Sequence, residues 1–490
     1  MLFRSCADDL VQYKGGMGFL YCPGRRLLCT LEIFYPKQRF ERETLLAFFA
    51  SVSCSSNVAP EAPLNIIIIG LEPLGTRYMS LYGYPSRTTP ALESFAQSGV
   101  VFRNAISPSS WTLPVFMSLF TSTYPSQHKL VNKYSVYTKD QQVLSDLRAL
   151  SPRIVTLAQI LQAQGYATAA FTGGAGVSKD FGYDAGFDVY YETPPFGGLD
   201  ELVPKAVQWL KEQTGKKTFV FIMAYDLHGR YPLSSARHKA LVRKLGKKFI
   251  GDVDSYWQYR EKSVDKAMPA LSQKDVQSWQ TWYAEKIREA DEKIGRFFRT
   301  LQDQGVFDHT VVVVTAGSGN EFYEHGKFDH GHSLYDELIK VPLIMRIPGV
   351  GKTAVEGQVR IIDVMPTLLD LARIVPDERV KRQMQGVSLL PMLRGKPLPL
   401  DAFSETDYLY NTFKRSLRTS DAWKFIYSLD SGDRELYDLK TDPLERRNLV
   451  ESEPARAYEL EQRLFDWMHS MGTDRHAHWK LLKRVLQTSQ

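Results

Sequence analysis

The sequence predicts an α/β protein: a mostly parallel central sheet with helices on both faces, followed by a small C-terminal α+β subdomain. Three observations carry this. Leu64–Leu71, Thr218–Ala224 and Thr310–Thr315 are short, continuous apolar runs rich in β-branched residues, the pattern of strands buried on both faces. Amphipathic stretches of helical period alternate with them. Beyond about residue 400 the pattern changes to short strands joined by polar turns.

The elements follow in order. Leu64–Leu71 reads as the first buried strand, and Pro90–Gly99 as a short helix ended by its glycine. Pro114–Thr123 reads as a helix with Pro114 in its first turn, where a missing N–H costs nothing. Ile154–Gly165 is a helix and Ala167–Thr172 a strand; Leu199–Thr214 is a helix and Thr218–Ala224 a strand. Residues 232–275 are a basic, Lys- and Ser-containing insertion, expected as a solvated surface excursion. Trp279–Gln304 is a long helix with charged faces, Thr310–Thr315 a strand, Val341–Arg346 a strand closed by Ile-Pro-Gly, and Asp363–Ala372 a helix. Ser416–Ser420, Trp423–Ser428 and Glu435–Asp438 read as antiparallel strands, closed by the helix Glu453–Met471. The resulting division is 1–36 unassigned, 37–62 signal and tether, 63–398 the α/β domain and 399–490 the C-terminal subdomain.

The 490 residues suffice for one large domain and a smaller one. The 61 basic and 55 acidic side chains leave a net charge of only +6, which argues against a nucleic-acid partner. Cys6, Cys22, Cys29 and Cys54 all precede the α/β domain, which excludes a disulfide framework, cysteine metal ligands and a cysteine nucleophile within it. No run of 18 apolar residues is present, so no transmembrane helix is expected. The stretch from Lys37 to Cys54 has a basic start, a short apolar run, small residues and then the cysteine. It resembles a bacterial lipoprotein signal, with Cys54 lipidated and the chain attached to a membrane of the cell envelope, periplasmic or on the outer surface. A simple N-terminal extension is the alternative.

In such sheets ligands bind outside the carboxyl ends of the strands. Glu72 follows the first strand, Asp226 and His228 follow Thr218–Ala224, and Gly317 and Ser318 follow Thr310–Thr315. Thr112 lies at the front of a helix, as a hydroxyl facing an anion or as an N-cap.

From about Asn65 to Leu449 the chain resembles the sulfatase family of the alkaline phosphatase superfamily. The resemblance rests on seven stretches in order: Leu81–Pro90, Ser110–Pro125, Tyr225–Gly229, Glu324–Leu338, Val341–Ile344, Asp363–Leu369 and Glu435–Pro443. It implies an alkaline phosphatase-like fold and hydrolysis of sulfuric or phosphoric esters. By this resemblance Glu72 falls on the first metal carboxylate and Thr112 on the nucleophile, commonly a cysteine converted to formylglycine, an aldehyde that threonine cannot form. The Glu72 and Thr112 pair resembles lipoteichoic acid synthases and phosphoethanolamine transferases, in which a metal-bound threonine attacks phosphorus. His228, and one or both of His330 and His332, correspond by this resemblance to basic residues that grip the anion, with His228 and His332 also placed for acid–base work.

The chain departs from the family at two places. Val115 and Phe116 replace a polar pair after the nucleophile, and Gly317 and Ser318 replace the second pair of metal ligands. A divalent cation needs four to six ligands with charge among them, so the loss removes most of the expected affinity. No cofactor is then expected; an active protein would hold a single Zn, Mn, Mg or Ca ion, with Glu321 and His325 as substitute ligands. Three readings follow. One is a degenerate sulfatase that binds a sulfated or phosphorylated small molecule, glycan or lipid headgroup with weak or no turnover. Another is an active ester hydrolase or phosphotransferase working through Thr112. The last is a non-catalytic scaffold.

Overall fold

The computed structural model describes residues 64–131, 150–229, 232–245, 271–408 and 412–473, together with shorter stretches within 18–31, 135–146 and 256–262. Two compact units divide at Ala62 and Pro63. In the first, an antiparallel pair joins Gly18–Cys22 to Leu27–Leu31. The lipoprotein-like signal and Cys54 lie outside the described residues.

The second unit is built on an eight-stranded sheet. Its strands are β1 (Asn65–Leu71), β2 (Val100–Ile106), β3 (Ala167–Thr172), β4 (Val189–Glu192), β5 (Thr218–Ala224), β6 (Thr310–Thr315), β7 (Lys340–Arg346) and β8 (Thr353–Arg360). Their order is β8-β2-β7-β6-β1-β5-β3-β4. Every neighbouring pair is parallel except the two that involve β7, which runs against β6 and β2. The central strands β1, β5 and β6 are the continuous apolar runs, and their side chains are buried on both faces.

Helices α1 (Pro90–Phe95), α2 (Thr112–Thr121), α3 (Leu157–Ala163), α4 (Leu199–Glu212), α5 (Ser235–Leu245), α6 (Gln273–Asp303) and α7 (Val364–Leu371) surround this sheet. All ten residues of α2 are buried, as suits a helix apolar on every side. Helix α6 begins six residues before the expected start. Ser272 caps it in a box with Asp275, a start signal that the apolar period alone does not show.

The C-terminal subdomain is an antiparallel sheet of β9 (Ala402–Thr406), β10 (Lys414–Arg418), β11 (Trp423–Ser428) and β12 (Arg434–Asp438) in that order. Helix α8 (Pro454–Ser470) packs Leu460 and Leu464 against Leu417, Phe425 and Leu436.

Four strands, β2, β4, β8 and β9, were not expected from the sequence. Each mixes polar with apolar residues: β2 carries half-buried Arg103 and Asn104, and β8 interrupts its pattern with Glu356 and Gly357. Their pairing partners, not their composition, make them strands. The insertion also departs from expectation. Tyr256 is fully buried and the Arg260 side chain is only 17 % exposed, so this part of 232–275 is packed structure rather than solvated surface.

Candidate functional site

The registers bring the carboxyl ends of β1, β5 and β6 level. Gly70 pairs with Thr315 and with Met223. The next residue after β1, Glu72, continues the ladder through a 2.9 Å bond from its N–H to the Ala224 carbonyl, and Leu74 N–H donates to Ser318 O at 2.7 Å. Glu72, the Tyr225–His228 turn and the Gly317–Ser318 turn therefore share one rim.

Glu72 is completely buried, not a solvated strand-end carboxylate. Its Oε1 accepts the Gly317 N–H and, at 3.1 Å, the Ser318 N–H; its Oε2 accepts the Ser318 hydroxyl at 3.1 Å. Two successive backbone N–H groups thus form an anion-binding nest around the carboxylate. Burial pushes Glu72 up to about 7, although His330 and the three donors pull it back down.

The space beside it is full. A Cβ on Gly317 would come within 2.4 Å of Glu72 Oε1 and 3.3 Å of the Phe116 ring. A Cβ on Gly70 would meet Met223 at 2.4 Å and Phe116 at 2.6 Å. Phe116 is fully buried and packs against Phe221 at 5.7 Å between ring centres. This donor set does not fit a divalent cation. It offers one carboxylate already enclosed by donors, a glycine, a hydroxyl turned toward that carboxylate, and an aromatic ring. Among the described residues no group of three or more His, Cys, Asp or Glu side chains converges to hold a metal.

The substitute ligands are engaged elsewhere. Glu321 Oε1 accepts the N–H groups of His325 and Lys327, each at 2.8 Å, and organises the 321–327 loop. His325 Nδ1 lies 2.5 Å from Glu337 Oε1, and its ring stacks on Tyr335 at 3.6 Å. Asp226 accepts Leu199 N–H at 2.8 Å and pairs with Lys293 at 2.7 Å, which secures the start of α4.

Thr112 is buried and is the first residue of α2. It is not the N-cap; Trp111 holds that position and supplies no side-chain cap. A Cβ on Gly176 would approach the Thr112 Cβ to 3.0 Å, and the Tyr225 phenol feels the Thr112 hydroxyl among its polar neighbours.

Of the three histidines, two face each other. His228 stacks on Phe196 at 4.2 Å, and its ring centre is 5.8 Å from that of His330, nearly perpendicular to it. Burial holds His228 well below the usual imidazole range, although the Asp329 carboxylate pulls the other way. His330 Nδ1 lies 2.7 Å from Asp329 Oδ1 and 3.1 Å from Asn320 Oδ1. His332 turns toward Glu321, with 3.7 Å between Nε2 and Oε2, and burial lowers it to about 3.

Sequence reasoning passed over the residue that organises this wall. Asp329 also accepts the Tyr256 hydroxyl and the Arg260 Nε–H, each at 2.5 Å. Arg260 donates in addition to the Tyr408 hydroxyl. Burial opposes the Asp329 charge, but His330 and Arg260 outweigh it and hold the carboxyl far below its ordinary range. Asp329 directly precedes His330, so a carboxylate beside a candidate histidine was a usable signal. Tyr256 and Arg260 lie about 70 residues away and carry no local signal.

The comparisons with known proteins agree with this architecture. The family model described as Sulfatase matches residues 64–374, and one described as N-sulphoglucosamine sulphohydrolase, C-terminal, matches 323–471. The N-acetylglucosamine-6-O-sulfatase of Bacteroides thetaiotaomicron is 25 % identical, over 83 % of this chain and 87 % of its own length. Arylsulfatase K of Mus musculus is 23 % identical, over 82 % of this chain and 79 % of its own. The structure of BT4656 in complex with its substrate D-glucosamine-2-N,6-O-disulfate superposes with a TM-score of 0.63 at 21 % identity, covering 84 % of this chain and 98 % of that one. The phosphonate monoester hydrolase of Agrobacterium radiobacter gives a TM-score of 0.64 at 19 % identity, over 84 % and 96 % of the two chains. With a family match spanning most of the α/β unit, the chain belongs to the sulfatase family.

Proposed function

We propose that this protein binds a sulfated or phosphorylated group, carried on a glycan, at the wall formed by His228 and His330, and that it turns the ester over weakly or not at all. The observation that carries this reading is the enclosure of Glu72 by Gly317 and Ser318. Hydrolysis in this family relies on a divalent cation to polarise the ester oxygen and activate the nucleophile. Here the backbone of one strand end takes up the carboxylate of another, and Phe116 occupies adjoining space. Without that activation Thr112 keeps the high pKa of an alcohol and is a poor nucleophile. The glycan is chosen because two of the similar proteins above carry it in their names: one is an N-acetylglucosamine-6-O-sulfatase, and the other is bound to its substrate D-glucosamine-2-N,6-O-disulfate. Lipidation of Cys54 would hold this pocket in the cell envelope.

The test is metal analysis by mass spectrometry on the purified full chain, paired with assays of aryl sulfates and phosphate mono- and diesters. The expected result is no stoichiometric divalent metal and no measurable turnover. A stoichiometric metal, with activity abolished by Thr112→Ala or Glu72→Gln, would overturn the reading in favour of an active hydrolase.

A further inference from the structure

We infer that a cleft between the α/β domain and the C-terminal subdomain is a second anion site, in which Lys340 and Arg77 receive a sulfate or phosphate group. None of Glu72, Thr112, His228 and His330 lines this cleft, so the inference stands apart from the reading above.

The cleft has a volume of about 500 Å³, within the range of small-molecule sites. Arg77, Arg103 and Lys340 line it from the α/β domain, and Leu439, Pro443 and Leu444 line it from the chain after β12. Cations therefore stand on one side and apolar surface on the other. A bare oxyanion would leave most of this volume empty, whereas a sugar that carries one could set its ring against the apolar side.

Lys340 carries the argument. It is the half-buried first residue of β7, and its carbonyl accepts the Thr76 hydroxyl at 3.3 Å. Among the described residues its ammonium makes no hydrogen bond and has no carboxylate within 4.0 Å. The carboxylates that line the cleft with it are committed elsewhere or face solvent. Asp336 is held by Arg418 at 3.2 Å and by Lys424 at 2.9 Å, and Glu337 lies 2.5 Å from His325. The Glu356 side chain is 78 % exposed and lies 4.0 Å from Arg103. Burial lowers the Lys340 amine from its ordinary value; Asp336 opposes this and Arg418 reinforces it. A half-buried ammonium without a close counter-charge is costly, and an anion in the cleft would supply one.

Arg77 adds a second grip. Its side chain is 31 % exposed, and its ion pair with Glu324 is long, at 3.9 Å. Its guanidinium fork therefore keeps donors that match the oxygens of a tetrahedral anion. Sulfate and phosphate share this chemistry, and either could arrive as the free ion or as a sugar ester.

The experiment is lysine acetylation on the full chain, read by peptide mass spectrometry. The probes are inorganic sulfate, inorganic phosphate, glucosamine 6-sulfate, glucosamine 6-phosphate and glucosamine. Only a neutral, accessible amine reacts, so a bound anion protects Lys340 both by covering it and by favouring its charged form. At least one anionic probe should slow Lys340 labelling by about fivefold or more at saturation, while glucosamine has no effect and exposed Lys352 reacts as before. Half-protection at lower concentrations of ester than of free ion would assign the cleft to a sugar-borne group; equal concentrations would assign it to the free ion. Arg77→Gln should raise the half-protecting concentration about tenfold, because a charge-assisted contact is lost. A rise within about twofold would overturn the role of Arg77. Lys340 labelling that no probe slows relative to Lys352 would overturn the site. A several-fold rise of Lys340 labelling in ligand-free Glu356→Gln would also overturn it, by making Glu356 the counter-charge.

Discussion

Glu72 and Ser318 are joined by two hydrogen bonds of 3.1 Å, one from the backbone N–H to Oε1 and one from the side-chain hydroxyl to Oε2. Together with the Gly317 N–H they satisfy a carboxylate that has no access to water. An unsatisfied carboxylate at this depth would cost several kcal/mol, so the enclosure holds the ends of β1 and β6 together.

Gly317→Ala should therefore be destabilising although it adds a single methyl group. The new Cβ would fall 2.4 Å from Glu72 Oε1, a side-chain end that can move away only by giving up its hydrogen bonds to Gly317 and Ser318 in a fully buried site. The expected loss is about 1–3 kcal/mol. Urea unfolding would report it as a lower midpoint at unchanged slope; a midpoint equal to wild type would show that the strand ends are looser than described.

Phe116→Ala should cost about 3–5 kcal/mol, the range for emptying a fully buried aromatic site. The ring fills the space that side chains on Gly70 and Gly317 would enter and packs against Phe221, so the cavity would open beside Glu72. Phe116→Leu, which fills more of the volume, should recover part of the loss. Equal stability of the alanine and leucine variants in urea would contradict this packing.

His325 predicts an alkaline limit to stability. Burial disfavours its charge, but the hydrogen bond and charge of Glu337 outweigh this and raise the imidazole from 6.5 to about 9. The folded value exceeds the unfolded one, so the contribution is fully present below pH 6.5 and is lost as pH rises through about 9. The wild-type advantage over His325→Gln in thermal unfolding should shrink across that interval. A difference that stays constant from pH 6 to pH 10 would rule out the protonated pair.

Much of the fold was legible because its core strands are self-declaring. Asn65–Leu71, Thr218–Ala224 and Thr310–Thr315 are β-branched runs that can only be buried on both faces, and their carboxyl ends locate the rim. Val100–Ile106 and Thr353–Arg360 were not legible, because each owes its strand form to the neighbour that pairs with it. At the site, Glu72, His228 and His330 could be marked in advance by their positions after strands or in family register. That Thr112 begins α2 rather than capping it depends on the Trp111 backbone, which residue type does not reveal.

By itself the sequence determined which chemical groups stand at the rim: a carboxylate after β1, an imidazole after β5 and two more at 330 and 332, and glycine and serine after β6, where the family resemblance leads one to expect ligands. Residue type suffices for that. Only the tertiary structure decided what the remaining groups do. It turned Glu72 into the Gly317–Ser318 backbone, aimed His332 at Glu321, and brought Arg260 across some 70 residues of chain to Asp329. Those relations are distances between segments remote in sequence, and they arise from packing.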